Sequence, residues 1–213
     1  MAETRSRPLT QDARRAVMLL TDNPSQGDPK RHVCPYWVAV LLASPLRRLF
    51  ENPNRILAPH VRPGMTVLDV GCALGFFTLP LARLVGPGGH VVAVDLQERM
   101  IRNLQRRLQR AGLQDRVETR ICMPHELSIA DLTGTVDFAA AIHVIHETPV
   151  PELTLDQIGS ALKARARLLL MEPRGHVPRT AFAKTEASAR AAGLHEVGRP
   201  RTRRSHAVLY EKI

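Results

Sequence analysis

The chain is poor in aromatic residues and in cysteine, and it has no long apolar run. One Trp, two Tyr and five Phe in 213 residues give no basic-aromatic interleaving, which argues against a stacking platform for single-stranded nucleic acid. The three cysteines, Cys34, Cys72 and Cys122, are odd in number and scattered. That pattern favours reduced thiols over a disulfide framework. No C-x-x-C pair is present, so a zinc ribbon or iron–sulfur cluster is not expected. The apolar stretches VAVLLA at 38–43 and LLL at 168–170 fall far short of a membrane span. The opening MAETRSRPLTQDARR lacks the apolar core of a signal peptide, and the cytoplasm is the expected compartment. No G-K-[ST] exists to close a Walker loop.

Positive charge is plentiful: 30 Lys and Arg against 20 Asp and Glu, a formal +10. Arginines cluster in RPRTRRS (199–205) and in ERMIRNLQRRLQRAG, where Arg99, Arg102, Arg106 and Arg110 form a helical stripe opposite Ile101, Leu104 and Leu108. Such a surface can serve nucleic acid. Without aromatic partners, a solvated helix face is the favoured reading.

The most informative stretch is Thr66 to Asp95, TVLDVGCALGFFTLPLARLVGPGGHVVAVD. Val67, Leu68 and Val70 make a short run typical of a parallel strand buried on both faces. Gly71 and Gly75 permit a tight turn and close approach of a ligand. Phe76, Leu79, Leu81, Leu84 and Val85 then recur at helical spacing with Thr78 and Arg83 between them. GPGG ends the helix, and HVVAVD is a second strand. Open α/β sheets bind ligands beyond the carboxyl ends of their strands, where Gly71–Gly75 and Asp95 fall. Asp95 follows Gly75 by twenty residues, the usual reach to a ribose hydroxyl pair. The G-x-G-x-x-G spacing that cradles a pyrophosphate is missing, and Asp69 would repel a diphosphate. A carboxylate there suits a nucleoside ligand that carries positive charge, as the ammonium and sulfonium of S-adenosyl-L-methionine do.

LDVGCALGFFTLPLA followed by VVAVD resembles the first two cofactor motifs of the class I S-adenosylmethionine-dependent methyltransferases. VDFAAAIHVIHE resembles the family's fourth-strand motif, and LKARARLLLMEPRGHV its fifth. The resemblance spans about Val61 to Ile213 and is nearest the small-molecule, type 11 or ubiquinone/menaquinone-biosynthesis-like branch. It implies a Rossmann-like α/β domain: a seven-stranded, mostly parallel sheet with an antiparallel last strand and helices on both faces. The expected organisation is a weakly structured arm (1–30), a helical cap (31–62) and the methyltransferase domain (63–213). The implied activity is methyl transfer to a small-molecule acceptor. The alternatives are an RNA-associated methyltransferase and a member that binds cofactor without chemistry. The amine-methylating N/D-P-P-Y/F loop is replaced by AIHVIHE, which speaks against adenine, cytosine and glutamine amines as acceptors.

The expected cofactor contacts are Asp69, Gly71, Cys72, Ala73, Gly75, Asp95, Leu96, Met123 and His143, the last beside the methionine carboxylate, and His143 stands with His146 as a catalytic candidate. Cys72 reads as a small filler within the loop. The position of His146 resembles the family's frequent histidine after the fourth strand; a base and a loop-holding role stand level there. Glu147, Glu172 and His176 share the same strand tips, and His176 could reach substrate or bond its own turn. Tyr36 and Trp37 could lid the site or pack within the cap. HVIHE is not a zincin pattern, and no metal is expected. Ala73, where relatives carry a glycine, is expected to keep φ negative. Cys122-Met-Pro-His125 replaces the acid that often meets adenine, which leaves Met123 packing and a neighbouring backbone group. Ala164-Arg-Ala166 replaces a Pro-Gly-Gly turn, with only a local change of loop shape expected.

Overall fold

In the computed structural model, which describes residues 51–213, the β-branched run becomes the central strand β1 (Thr66–Val70). Parallel neighbours β2 (His90–Asp95) and β4 (Val136–Ile142) cover both its edges. Val67, Leu68, Asp69 and Val70 are all buried, the pattern of a strand enclosed on both faces. Adding β3 (Val117–Ile121), β5 (Leu162–Pro173), β6 (Leu194–Gly198) and β7 (Ser205–Lys212) gives one seven-stranded sheet of order β3-β2-β1-β4-β5-β7-β6. β7 runs antiparallel to both β5 and β6. The expected doubly wound architecture with a late antiparallel strand is therefore present.

Side chains alternate between two cores. Val67, Phe138 and Leu169 face helices α1 (Pro53–Leu57), α2 (Thr78–Leu84) and α3 (Glu98–Ala111), which contribute Leu57, Leu81 and Leu104. Leu68, Ala139 and Leu168 face α4 (Pro151–Ala161) and α5 (Arg179–Ala191), which contribute Ile158 and Phe182. α3 buries Met100, Ile101, Leu104 and Leu108, leaves Arg99, Arg102, Arg106 and Arg110 exposed, and stops at Gly112 in the left-handed region, φ 63°. Its Glu98–Arg102 pair at 2.6 Å is solvent-exposed and worth about 0.3–0.5 kcal/mol. The basic stripe is a solvated face.

The β3–β4 connection contains no α-helix, only the short turn Ala130–Leu132. Arg120 grips Asp131 with both Nη atoms, at 2.6 and 2.8 Å, and Gln157 of α4 bonds the Leu127 amide and the His125 carbonyl. Those bonds substitute for helix packing.

Three local expectations are corrected. Ala164-Arg-Ala166 is no turn but part of an extended β5, whose register jumps from Val136↔Leu162 to Phe138↔Arg167. The extra residues form a bulge that puts Arg165 at φ 64°. Thr78 is completely buried instead of lying on a polar helix face. Within the basic 199–205 segment, Arg199 is structural: it bonds Glu196 at 2.7 and 2.6 Å and the buried Glu186 at 2.7 Å. The expectations for the arm, and for Cys34, Tyr36 and Trp37 of the cap, lie outside the described residues. Among the described residues no helix is long and apolar enough to cross a membrane.

Tyr210 of β7 is fully buried, and its hydroxyl has no hydrogen-bond partner. An unpaired buried hydroxyl loses its water without compensation. Tyr210→Phe should therefore raise stability by about 1 kcal/mol, read as a higher urea midpoint with an unchanged slope.

Candidate active site

The carboxyl tips of β1, β2 and β4 are joined by a loop whose polar groups are directed at protein. Gly71 and Cys72 both donate their amides to the Val94 carbonyl, at 2.9 and 3.0 Å, and Gly75 donates to Cys72 at 2.8 Å. The Ala73 amide donates to Asp95 Oδ2 at 2.8 Å, and Gln97 donates to Asp95 Oδ1 at the same distance. The Gly71, Cys72, Ala73 and Gly75 amides are thus engaged by protein and not offered to a pyrophosphate, in keeping with the loop's spacing. Arg107 of α3 closes the arrangement by donating Nη1 to the Leu74 carbonyl.

Ala73 adopts φ 44°, against the expected negative angle. The bond to Asp95 turns its amide inward and holds a conformation that disfavours a Cβ. Gly71 and Gly75 have no such latitude. A Cβ on Gly71 would stand 2.4 Å from Val144 Cγ2, and one on Gly75 2.4 Å from Leu104 Cδ1.

Asp69 is 3% exposed, and Thr78 Oγ1 donates to its Oδ2 at 2.6 Å. Burial pushes its pKa up to about 6, the Thr78 bond opposes the rise, and the charge of Asp95 adds to it. Asp95 is also raised, by burial, against the amide bonds from Gln97 and Ala73. Two neighbouring strand tips therefore carry buried carboxylates, both desolvated beyond what their hydrogen bonds offset. Negative potential gathers here, and it would be relieved by a cation.

Leu96 and Met123, at the ends of β2 and β3, are 37% and 63% exposed. These apolar side chains are open to solvent beside Asp95. The amides of Cys122 and Met123 are engaged by Asp95 and Glu126 carbonyls, at 3.0 and 2.8 Å. Pro124 has none, so packing on Met123 is what this segment offers. Cys72 and Cys122 are buried. Burial raises the Cys72 thiol well above its ordinary pKa and the Cys122 thiol to about 11, with Asp95 adding to both. Neither is a nucleophile at neutral pH.

Beyond β4, two histidines three residues apart point to different partners. His146 Nδ1 lies 2.5 Å from Glu172 Oε2, and its backbone amide donates to Glu172 Oε1 at 3.2 Å. A carboxylate only accepts, so the neutral ring carries its proton on Nδ1 and leaves the Nε2 lone pair available. Burial lowers the His146 pKa, but the hydrogen bond and charge of Glu172, with Glu147, overcome it, and the net shift is upward. His176 sits edge-on to His146, ring centroids 5.0 Å apart, while its amide bonds Pro173 in the turn. His143, at φ 62°, places Nε2 2.8 Å from Ser205 Oγ of β7 and 3.8 Å from Glu51. Its ring is thus held toward β7 through Ser205. Among the described residues no group of three or more His, Cys, Asp or Glu side chains is placed to hold a metal ion.

The structure therefore gathers Asp69, Gly71, Cys72, Ala73, Gly75, Asp95, Leu96 and Met123 around one crevice edge, with His146 and His176 at the β4–β5 tips. Sequence reasoning missed Thr78, Arg107 and Ser205. The first could have been suspected from a hydroxyl opening the helix that follows the acid. The other two carry no local signal.

A family profile described as a methyltransferase domain matches residues 62–204. Demethylmenaquinone methyltransferase of Symbiobacterium thermophilum is 32% identical over 114 residues, 53% of this chain and 44% of that protein. A ubiquinone/menaquinone biosynthesis C-methyltransferase of Hydrogenovibrio crunogenus is 30% identical over 127 residues, 60% of this chain and 49% of that protein. The chain thus matches less than half the length of either relative. In structure it is similar to a SAM-dependent methyltransferase from Aquifex aeolicus, with a TM-score of 0.74 and 23% identity over 88% of this chain and all of that one. The last likeness concerns fold.

Two measurements test this geometry. Ala73→Gly should stabilise the protein by about 0.5–1 kcal/mol, the relief of a left-handed Cβ less the entropy of an added glycine; a lower denaturation midpoint would contradict the strained loop. By NMR titration, His146 should hold its proton above pH 6.5, and Glu172→Gln should move that titration down.

Proposed function

The chain belongs to the methyltransferase-domain family, and from that membership we propose that it moves the methyl group of S-adenosylmethionine to a small-molecule acceptor. The observation that carries this reading is the pair of buried carboxylates, Asp69 and Asp95, at adjoining strand tips under a loop whose Gly71, Cys72, Ala73 and Gly75 amides are engaged by protein. Such a crevice suits a cationic nucleoside and would repel a diphosphate. When bound, S-adenosylmethionine supplies an electrophilic methyl on a sulfonium.

The residues present fit that group. Asp69 provides negative charge that fails as pH drops through about 6, because burial makes it take up a proton early. Asp95 keeps lone pairs for ribose hydroxyls beyond its two amide bonds. Leu96 and Met123 flank the base. The half-buried surroundings of His146 exclude bulk water, and its Nε2, oriented through Glu172, takes the proton of an acceptor O–H or N–H. An upward-shifted imidazole becomes a base only above its raised pKa, so turnover rises with pH through that value. Alignment of acceptor, methyl and sulfur supplies much of the remaining rate. The curated relatives named above act in ubiquinone and menaquinone biosynthesis by their names, which supports an acceptor of small size.

The test is to incubate the full chain with methyl-labelled S-adenosylmethionine and fractionated cell extract. Label should enter a low-molecular-weight fraction, and His146→Ala should slow that transfer about 10²–10⁴-fold without weakening cofactor binding. Label confined to RNA, or no label at all, would remove the proposal. Separately, Asp95→Ala should weaken S-adenosylhomocysteine binding by about 1–3 kcal/mol in calorimetry. An unchanged affinity would displace the ribose from this site.

A further inference from the structure

A second concave site lies at the opposite rim of the sheet, where β1 and β4 begin and β7 ends. Its volume is about 400 Å³, within the range of small-ligand sites. The length of β1 separates it from the Gly71–Gly75 loop, roughly 15 Å for five residues of strand. Nothing in methyl transfer calls on it.

Three arginines, Arg62, Arg165 and Arg167, line this cavity together with Asp137 and Glu211. Both carboxylates already have partners. Asp137 accepts from Lys163 Nζ at 2.5 Å and from the Thr66 amide at 2.8 Å, and Glu211 accepts from Arg167 Nε at 3.1 Å. Arg62 directs Nη1 at the Ala58 and Val61 carbonyls, which fixes its guanidinium at the rim. Arg165 makes no ion pair among the described residues, and it reaches the cavity from the β5 bulge at φ 64°. A non-glycine residue in that region is held there by its surroundings at a conformational cost. His60 reports the resulting field: burial, then the charges of Arg167 and Arg62, lower its pKa. Its ring stacks on Phe138, with centroids 5.7 Å apart and planes 13° apart. Met65 adds apolar surface beside it.

We propose that this cavity is a second ligand site, which takes the phosphate of a small phosphorylated molecule between Arg62, Arg165 and Arg167 and its ring or chain against Met65 and His60. Planar guanidinium forks suit the tetrahedral oxygens of a phosphate, and three arginines share this cavity with two carboxylates that already have partners. An extended polymer backbone would instead call for a stripe of charge along an open face.

The experiment is calorimetry on the full chain with phenyl phosphate as the probe. Saturable binding is expected, with an affinity unaffected by saturating S-adenosylhomocysteine. Arg165→Gly should weaken it at least about tenfold while the unfolding midpoint holds or rises, since glycine relaxes the left-handed backbone. Arg165→Ala provides the same reading without altering the turn's freedom as much. Arg110→Ala, which removes equal charge from the exposed face of α3, should leave binding unchanged. The proposal falls if phenyl phosphate shows no saturation, if S-adenosylhomocysteine displaces it, or if Arg110→Ala weakens it as much as Arg165→Gly does. It also falls if poly(U) binds more tightly per phosphate and loses that binding in Arg165→Gly, because the phosphate would then belong to a polymer.

Discussion

The carboxylate of Asp95 holds two backbone amides at once, Ala73 in the loop after β1 and Gln97 at the start of α3. Burying a carboxylate is costly unless it is hydrogen-bonded, and these two bonds make its place at the tip of β2 tenable. In return they fix the loop. Ala73 stays left-handed, Leu74 turns its carbonyl to Arg107, and Gly75, at φ 80°, comes close enough to α3 that a Cβ would press on Leu104. Asp69 and Thr78 do the equivalent work one strand over, joining β1 to the first turn of α2. The crevice is thus shaped by two acids that bind protein before any ligand does, so little ordering is left for the ligand to bring about.

The division of labour among the histidines follows from strand alternation. Glu172 lies on the α4–α5 side of β5, and Ser205 on the α1–α3 side of β7, with the parity of their buried neighbours. His143 and His146 each reach one of these. A carboxylate partner makes His146 a group that holds and releases a proton near neutrality. His143, at φ 62°, has a hydroxyl partner in Ser205 instead. The sequence HVIHE contains both residues but not their directions.

Much of this was legible beforehand where the signal is local. Strand β1, the glycine loop, α2 and β2 follow from apolar runs and Gly/Pro punctuation, and the mostly parallel sheet with its antiparallel last strand follows from the family the motifs resemble. Ala73 was misjudged because its φ is set by an acid twenty-two positions away, a tertiary bond that overrides an intrinsic preference. The β5 bulge was invisible because Ala164, Arg165 and Ala166 include neither glycine nor proline to mark it. Thr78 looked like a polar-face residue since helical spacing alone does not reveal a buried acid beneath the helix start. Glu172 stood among the strand-tip residues, yet only the fold brings it across twenty-six residues to His146.

The two outer strands have one further effect. β3 and β6 are each five residues long. β3 sets Glu118 and Arg120 in mutual contact along its rim, and β6 breaks step with β7 between Glu196 and Gly198. Short, charged or bulged rims make poor templates for another chain's backbone. A sheet of this breadth in so small a protein would otherwise invite stacking of copies edge to edge. Both borders of the described sheet are thereby made unfavourable for strand addition.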